Sequence, residues 1–360
     1  MFGWTKRDRS NLGAPQQPGR RMKWYAWPPK HVDTVVFVHG ILGNFITTWG
    51  KFPKLLSEDE DLPELDILLW GYRTGLFARN HELHLEGGHL ATALETMIEP
   101  GSDIVLVGHS MGGLIILKAL VDRMTRGLAQ SAPCRAVTWI SLFAPPLTGS
   151  WLAGLANSLI ARPLRRISSL YKHLLALSRG TFVEDLMAAV RPHIYEPDAE
   201  SARHRKIPIR IIAATRDRAV DKPDRDFALA PYANPPAHQL DQTHQSVKLP
   251  PHTGDIRYQV LVTDLHKGFA RAFRSLSAAA SDPAGSEEDR AAALYEMRKR
   301  YGKIIRRRIR DRVRPIELHD QAENDLLLLL ATYGVRRDLP PFILVNWAIE
   351  QLAAHRPEWR

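Results

Sequence analysis

The chain lacks much of what several function classes need. It has one cysteine in 360 residues, Cys134, so no intrachain disulfide can form, and this usage fits a reducing compartment. The first 21 residues, MFGWTKRDRSNLGAPQQPGRR, are basic and polar and contain no apolar run of the kind a signal peptide carries. A cytoplasmic location is therefore expected. One long stretch has no charge, 137–161, VTWISLFAPPLTGSWLAGLANSLIA. Pro145 and Pro146 fall in its middle, where they would break a spanning helix. It reads instead as a buried strand followed by a short amphipathic helix. His81, His84 and His89 with Glu82 and Glu86 come nearest to metal-ligand spacing. They sit in a polar loop-to-helix stretch and read as solvated, so neither metal nor cofactor is expected. There is no internal repeat.

Positive charge is concentrated in one place. The net charge is +10, and residues 298–314 alone hold ten lysines and arginines against a single acid, Asp311. Three readings of this run are open: a solvated helix face, a surface for an anionic membrane at its inner face, or a nucleic-acid contact. The last is disfavoured because no recognised nucleic-acid-binding motif accompanies the arginines.

Apolar, β-branched runs alternate with helical patterns. The strand candidates are 33–40, 65–72, 103–110, 135–143, 207–215 and the short 238–242. Residues 89–98, the run after Ser110, and 257–277 read as helices, the last as one long helix. Near-continuous apolar strands separated by helices predict an α/β fold with a mostly parallel sheet covered on both faces. An insert at about 147–205, rich in short helical patterns, is expected to cover the strand ends as a lid. The expected organisation is a basic N-terminal extension (1–30), an α/β domain (31–278), a linker (279–290) and a small all-α C-terminal domain (291–360).

Residues 103–113 read DIVLVGHSMGG. The spacing Gly108-x-Ser110-x-Gly112 is that of a nucleophile elbow, in which a serine stands on a strained strand-to-helix turn and glycines let neighbouring backbone approach. Serine is a weak nucleophile at neutral pH, so it needs a base, and the base needs an acid to orient it. In an elbow sheet the chain order is Ser, acid, His. The acid candidates follow the fifth strand: Asp217 first, then Asp221 and Asp224. His244, just after the sixth strand, is the base candidate, with His252 as runner-up. His238 begins that strand and His266 lies within a helix, so both are expected to point elsewhere. His109, beside the serine, is expected to turn into the supporting shell. For an oxyanion hole, one donor is the backbone N–H of Met111; the other is that of Ile41 or Leu42 in VHGILGN (38–44).

FVHGILGN with Trp49 after it, LLWGYRTG, IVLVGHSMGGLIILKAL, SLFAPPLTGS and THQSVKLP together resemble the α/β-hydrolase fold. Within it they are similar to the serine esterases and lipases that include GPI-inositol deacylases and related lipid acyl hydrolases. The resemblance covers about residues 30–277 and maps Ser110, Asp217 and His244 onto the triad, and Met111 with Ile41 or Leu42 onto the oxyanion hole. It departs from that group at APPLTGS, which lacks a histidine, and at VKLP, where Leu249 precedes Pro250. The implied reaction is ester hydrolysis through an acyl-enzyme. The apolar insert, with Trp151 and Ile160 and rimmed by Arg162, Arg165 and Arg166, points to a lipid or acyl ester ahead of small esters, thioesters and amides. The competing expectation is a signalling or interaction protein whose hydrolase module is recruited or controlled by a protein partner bound to the C-terminal helices.

Overall fold

A computed structural model describes residues 21–26, 29–30, 32–41, 43–72, 83–98, 101–128, 132–147, 182–195, 207–216, 237–334 and 341–359. Seven strands form one sheet: β1 (Arg21–Trp24), β2 (Thr34–Val38), β3 (Asp66–Gly71), β4 (Ile104–His109), β5 (Val137–Phe143), β6 (Ile209–Ala214) and β7 (His238–Leu240). Their order is β1-β3-β2-β4-β5-β6-β7. All neighbours are parallel except β1, which pairs antiparallel with β3, Trp24 opposite Leu68. The expected α/β fold with a mostly parallel sheet is the one observed. The edge strand β1 lies inside the stretch expected to be an extension.

The helices among the described residues are α1 (Phe52–Glu58), α2 (Leu83–Met97), α3 (Met111–Thr125), α4 (Ala132–Ala136), α5 (Phe182–Val190), α6 (Ile256–Gly268), α7 (Ala270–Ser281), α8 (Glu287–Arg312), α9 (His319–Gly334) and α10 (Pro341–His355). Strands β2 to β6 are buried on both faces, so each of them feeds two cores. Val36, Val38, Leu68, Leu106 and Ile140 point to the face covered by α2, α3 and α5. Val35, Phe37, Leu69, Val107 and Trp139 point to the face covered by α1 and α6. Within the insert, Val183, Leu186, Met187 and Val190 of α5 are core residues on that first face. Residues 148–181 and 196–206, which carry the rest of the expected lid, lie outside the described residues.

The single helix expected over 257–277 is two. They meet at Phe269, and Gly268 beside the break lies against the sheet: a Cβ there would sit 2.6 Å from Val105 Cγ2. Beyond the break the chain changes core. Phe273 of α7 packs with Met297, Tyr301, Leu326, Leu330, Leu344 and Trp359 in a third cluster, so α7 belongs with the C-terminal bundle. The connection between bundle helices narrows to residues 282–286, from Asp282 to the N-cap Ser286, whose hydroxyl accepts from the backbone N–H of Asp289.

The basic run is much of helix α8, and most of its charge is engaged within the molecule. Arg300 reaches Asp33 at the start of β2 at 2.7 Å, with both side chains buried. Arg308 pairs with Asp61 at 2.7 Å, Arg307 with Glu60 and Asp61, and Arg310 with Glu60. The backbone N–H of Glu64 donates to the Arg300 carbonyl at 2.8 Å. One face of α8 is thus docked on the α/β domain. Arg306, at 55% exposure, pairs with Glu323 of α9 at 3.5 Å. No helix among the described residues is long and apolar enough to cross a membrane.

Candidate active site

Parallel strands bring their C-terminal ends to one edge of the sheet, and this edge assembles the site. At the end of β4 the chain turns within one residue. Ser110 takes φ 52° and ψ −129°, a left-handed conformation that a residue with a Cβ adopts only under strain, and α3 begins at the next residue. Its N–H donates to the Phe143 carbonyl at the end of β5 at 2.9 Å, and its carbonyl accepts from Gly113 N–H at 2.9 Å. These bonds clamp the turn from both sides. Ser110 is buried, and its Oγ makes no hydrogen bond among the described residues.

The glycines are required by contact. A methyl at Gly112 would run into the Val38 carbonyl oxygen, with the His39 oxygen 2.6 Å away. A Cβ at Gly40 would lie 2.8 Å from the Ser110 Cβ and 2.8 Å from His109 Nδ1. The loop after β2 therefore rests directly on the elbow. His39 fixes that loop: its Nδ1 lies 2.7 Å from the Gly40 carbonyl, its Nε2 accepts from Tyr72 N–H at 3.3 Å, and its ring stacks on Tyr72 at 4.6 Å. Ile41 is half-buried and packs in the same apolar cluster as Met111. Leu42 lies outside the described residues.

His244 is buried in the loop after β7. The structure brings it to the elbow: His109 Nε2 lies 2.9 Å from the His244 carbonyl, and the two rings are 4.8 Å apart. The His244 loop is held by its own side chains. Thr243 N–H donates to Ser246 Oγ at 2.9 Å, Ser246 Oγ to Gln242 Oε1 at 2.8 Å, and Lys248 Nζ to Gln245 Oε1 at 2.6 Å. Arg257, which the sequence reading did not single out, donates to the Ser246 carbonyl at 2.8 Å and to Gln242 Oε1 at 3.2 Å while paired with Asp255 at 2.6 Å. An arginine at the second position of a helix carries no local sign of such a role.

The acid candidates Asp217, Asp221 and Asp224 lie outside the described residues. The chain leading to them is described up to Arg216, whose N–H donates to the Gln242 carbonyl at 2.9 Å, two residues before His244. The side chain of Arg216 pairs with Asp241 at 2.8 Å. His238 sits by Arg210, its Nε2 2.8 Å from Arg210 Nη1, and His266 is half-buried and stacks on Phe342; neither is at the elbow. His252 sits in the loop that precedes α6, and its carbonyl accepts from Asp255 N–H. Of the residues with metal-like spacing, His89 lies 3.5 Å from Glu86; His81 and Glu82 are outside the described residues. Among the described residues no group of three His, Cys, Asp or Glu is placed to hold a metal ion.

The electrostatics favour a neutral elbow. Burial first, then the nearby cation Lys248, holds the His109 imidazole well below its ordinary pKa. Burial also lowers Lys248 to about 8.

A family model for alpha/beta hydrolases matches residues 35–254. The chain belongs to the alpha/beta hydrolase family. Solved structures with a similar fold include a lipase of Bacillus licheniformis in its mature form, 17% identical, with 68% of this chain and 98% of that one covered and a TM-score of 0.44. An esterase of Rhizomucor miehei is 13% identical over 69% and 79% of the two chains, with a TM-score of 0.45. A peroxisomal alpha-beta-hydrolase of Saccharomyces cerevisiae is 14% identical over 78% and 96%, with a TM-score of 0.42. Comparison with curated proteins finds no match.

Proposed function

We propose that this alpha/beta hydrolase cleaves carboxylic esters, lipid or acyl esters foremost, through an acyl-enzyme on Ser110. The observation that carries the reading is the strained Ser110, with its hydroxyl unpartnered among the described residues, on an elbow that His109 ties to the His244 loop at 2.9 Å. His244 takes the Ser110 proton as Oγ attacks the ester carbonyl. Asp217 orients the imidazole and stabilises its charge. The N–H groups of Met111 and of Ile41 or Leu42 hold the oxyanion, each contributing about 3 kcal/mol to the transition state. The alcohol leaves with the proton from His244, and water then attacks the acyl-enzyme with the same base.

The test is hydrolysis of p-nitrophenyl esters from acetate to palmitate by wild type and Ser110→Ala. Wild-type turnover that Ser110→Ala lowers by about 10⁴- to 10⁶-fold supports the mechanism, and a long-chain optimum supports the acyl substrate. Equal rates for the two proteins across the series would sink the reading.

A further inference from the structure

We infer that His109 is a positioning residue: as a neutral Nε2–H imidazole it holds the His244 carbonyl and so sets the base against the nucleophile next to it in sequence. The inference rests on the proposed roles of Ser110 and His244.

A carbonyl oxygen only accepts, so the 2.9 Å contact between His109 Nε2 and the His244 oxygen requires a proton on Nε2. Nδ1 is then bare if the ring is neutral. It is buried, makes no hydrogen bond among the described residues, and faces Gly40, where a Cβ would lie 2.8 Å away. A proton on Nδ1 would therefore be a buried donor with no acceptor, which costs more than leaving an acceptor unfilled. Burial points the same way, as do Lys248 and the His244 imidazole on the base loop and His39 on the β2 loop; the His244 carbonyl alone favours a positive charge on the ring. Trp49 packs edge-on against the ring with centroids 6.3 Å apart, so the imidazole is fixed in orientation.

This arrangement links two segments 135 residues apart in sequence by a bond from the residue before the nucleophile to the backbone of the base itself. Ser110 rides on the backbone of His109, and the imidazole of His244 rides on the carbonyl that His109 holds. A shift of the base by about 1 Å can cost about 100-fold in rate. A ring that only filled space would be replaced by phenylalanine at little cost. A ring that positions needs the N–H, which glutamine supplies from nearly the same place.

The test compares His109→Phe, His109→Gln and Ser110→Ala with wild type on the best p-nitrophenyl ester, with ¹⁵N NMR of His109 in wild type at pH 7. The inference expects kcat to fall about 10- to 100-fold in His109→Phe with KM within about twofold, most of it recovered in His109→Gln, and a neutral Nε2–H signal. Equal kcat in His109→Phe and wild type, while Ser110→Ala is dead, overturns the positioning role and leaves the nucleophile standing. Equal rates in wild type and Ser110→Ala remove the reading of Ser110 and the role of His109 with it. If His109→Phe does not fold, the NMR tautomer and the His109→Gln rate decide: an Nδ1–H or doubly protonated ring, or a Gln variant as slow as about 100-fold below wild type, overturns the inference.

Discussion

The two ends of the parallel strands carry buried polar clusters of opposite character. At the C-terminal ends, Ser110 is strained, and Ser110 Oγ, His109 Nδ1 and Trp49 Nε1 make no hydrogen bond among the described residues. At the N-terminal ends, Asp33 and Asp103 are just as buried but each is paired with a cation. Arg300 reaches Asp33 at 2.7 Å and Arg271 Nε reaches Asp103 at 2.7 Å. Asp103 also accepts from Ala272 N–H at 2.8 Å and donates its own N–H to Asp33 at 3.0 Å. Both edges keep unpartnered buried atoms, Asp33 Oδ2 and Ser102 Oγ among them at the N-terminal edge, but only the C-terminal edge sets one of them, the Ser110 hydroxyl, on a strained residue. The other uses its charges to fasten the C-terminal bundle beneath the sheet. A buried polar or charged residue is therefore no sign of a site by itself; the backbone strain at Ser110 is what sets the C-terminal edge apart.

If that contrast is right, the two edges respond oppositely to loss of a polar group. The largest effect is at Ser110. Ser110→Gly is expected to lower ester hydrolysis by about 10⁴-fold or more while raising the melting temperature by a few degrees, because glycine relieves a backbone strain of order 1 kcal/mol or more. A thermal melt beside the rate assay reads both. At the opposite edge, Arg300→Met is expected to destabilise the fold by about 3 kcal/mol. This is the low end of the cost of breaking a buried pair, because an aspartate so deeply buried takes up a proton instead of remaining charged. Urea unfolding measures the loss, and kcat of the folded fraction stays at the wild-type value.

How much of this was legible in the sequence differs by region for physical reasons. The elbow was legible because backbone approach at Gly112 restricts the residue type locally. The parallel strands were legible because burial on both faces makes them continuous apolar runs. Strand β1 was not, since RMKW has no apolar run and becomes a strand only by pairing with β3. The break at Phe269 was hidden because both flanking segments are good helices, and the packing of Gly268 on Val105 joins residues far apart in sequence. Arg300 looks like its neighbours in a run of arginines. Its partner Asp33 lies 267 residues earlier, so the docking of α8 could not be read from composition.

A smaller effect sharpens the active edge. Gly40→Ala is expected to cut kcat/KM about 100-fold, because its methyl would press on the Ser110 Cβ, with little change in unfolding midpoint. The smallest concerns pH. Burial, opposed by Arg300 and aided by Asp103, lifts the Asp33 carboxyl from 3.8 to about 7. Between those values the folded protein holds a proton that the unfolded chain has released. The stabilising share of this group is therefore full below about pH 4 and is lost as pH rises through about 7. Asp33→Asn should flatten that part of the melting-temperature profile between about pH 4.5 and 7.5. An unchanged slope would remove Asp33 from the pH dependence.

The most direct test of the account is covalent trapping. Wild type, Ser110→Ala and His244→Ala are treated with an alkyl fluorophosphonate, and the modified peptide is mapped by mass spectrometry. The account predicts one phosphonyl adduct on Ser110 in wild type, none in Ser110→Ala, and labelling slowed by about 10³-fold or more in His244→Ala. No adduct on Ser110 in wild type, or equal labelling with and without His244, would contradict it.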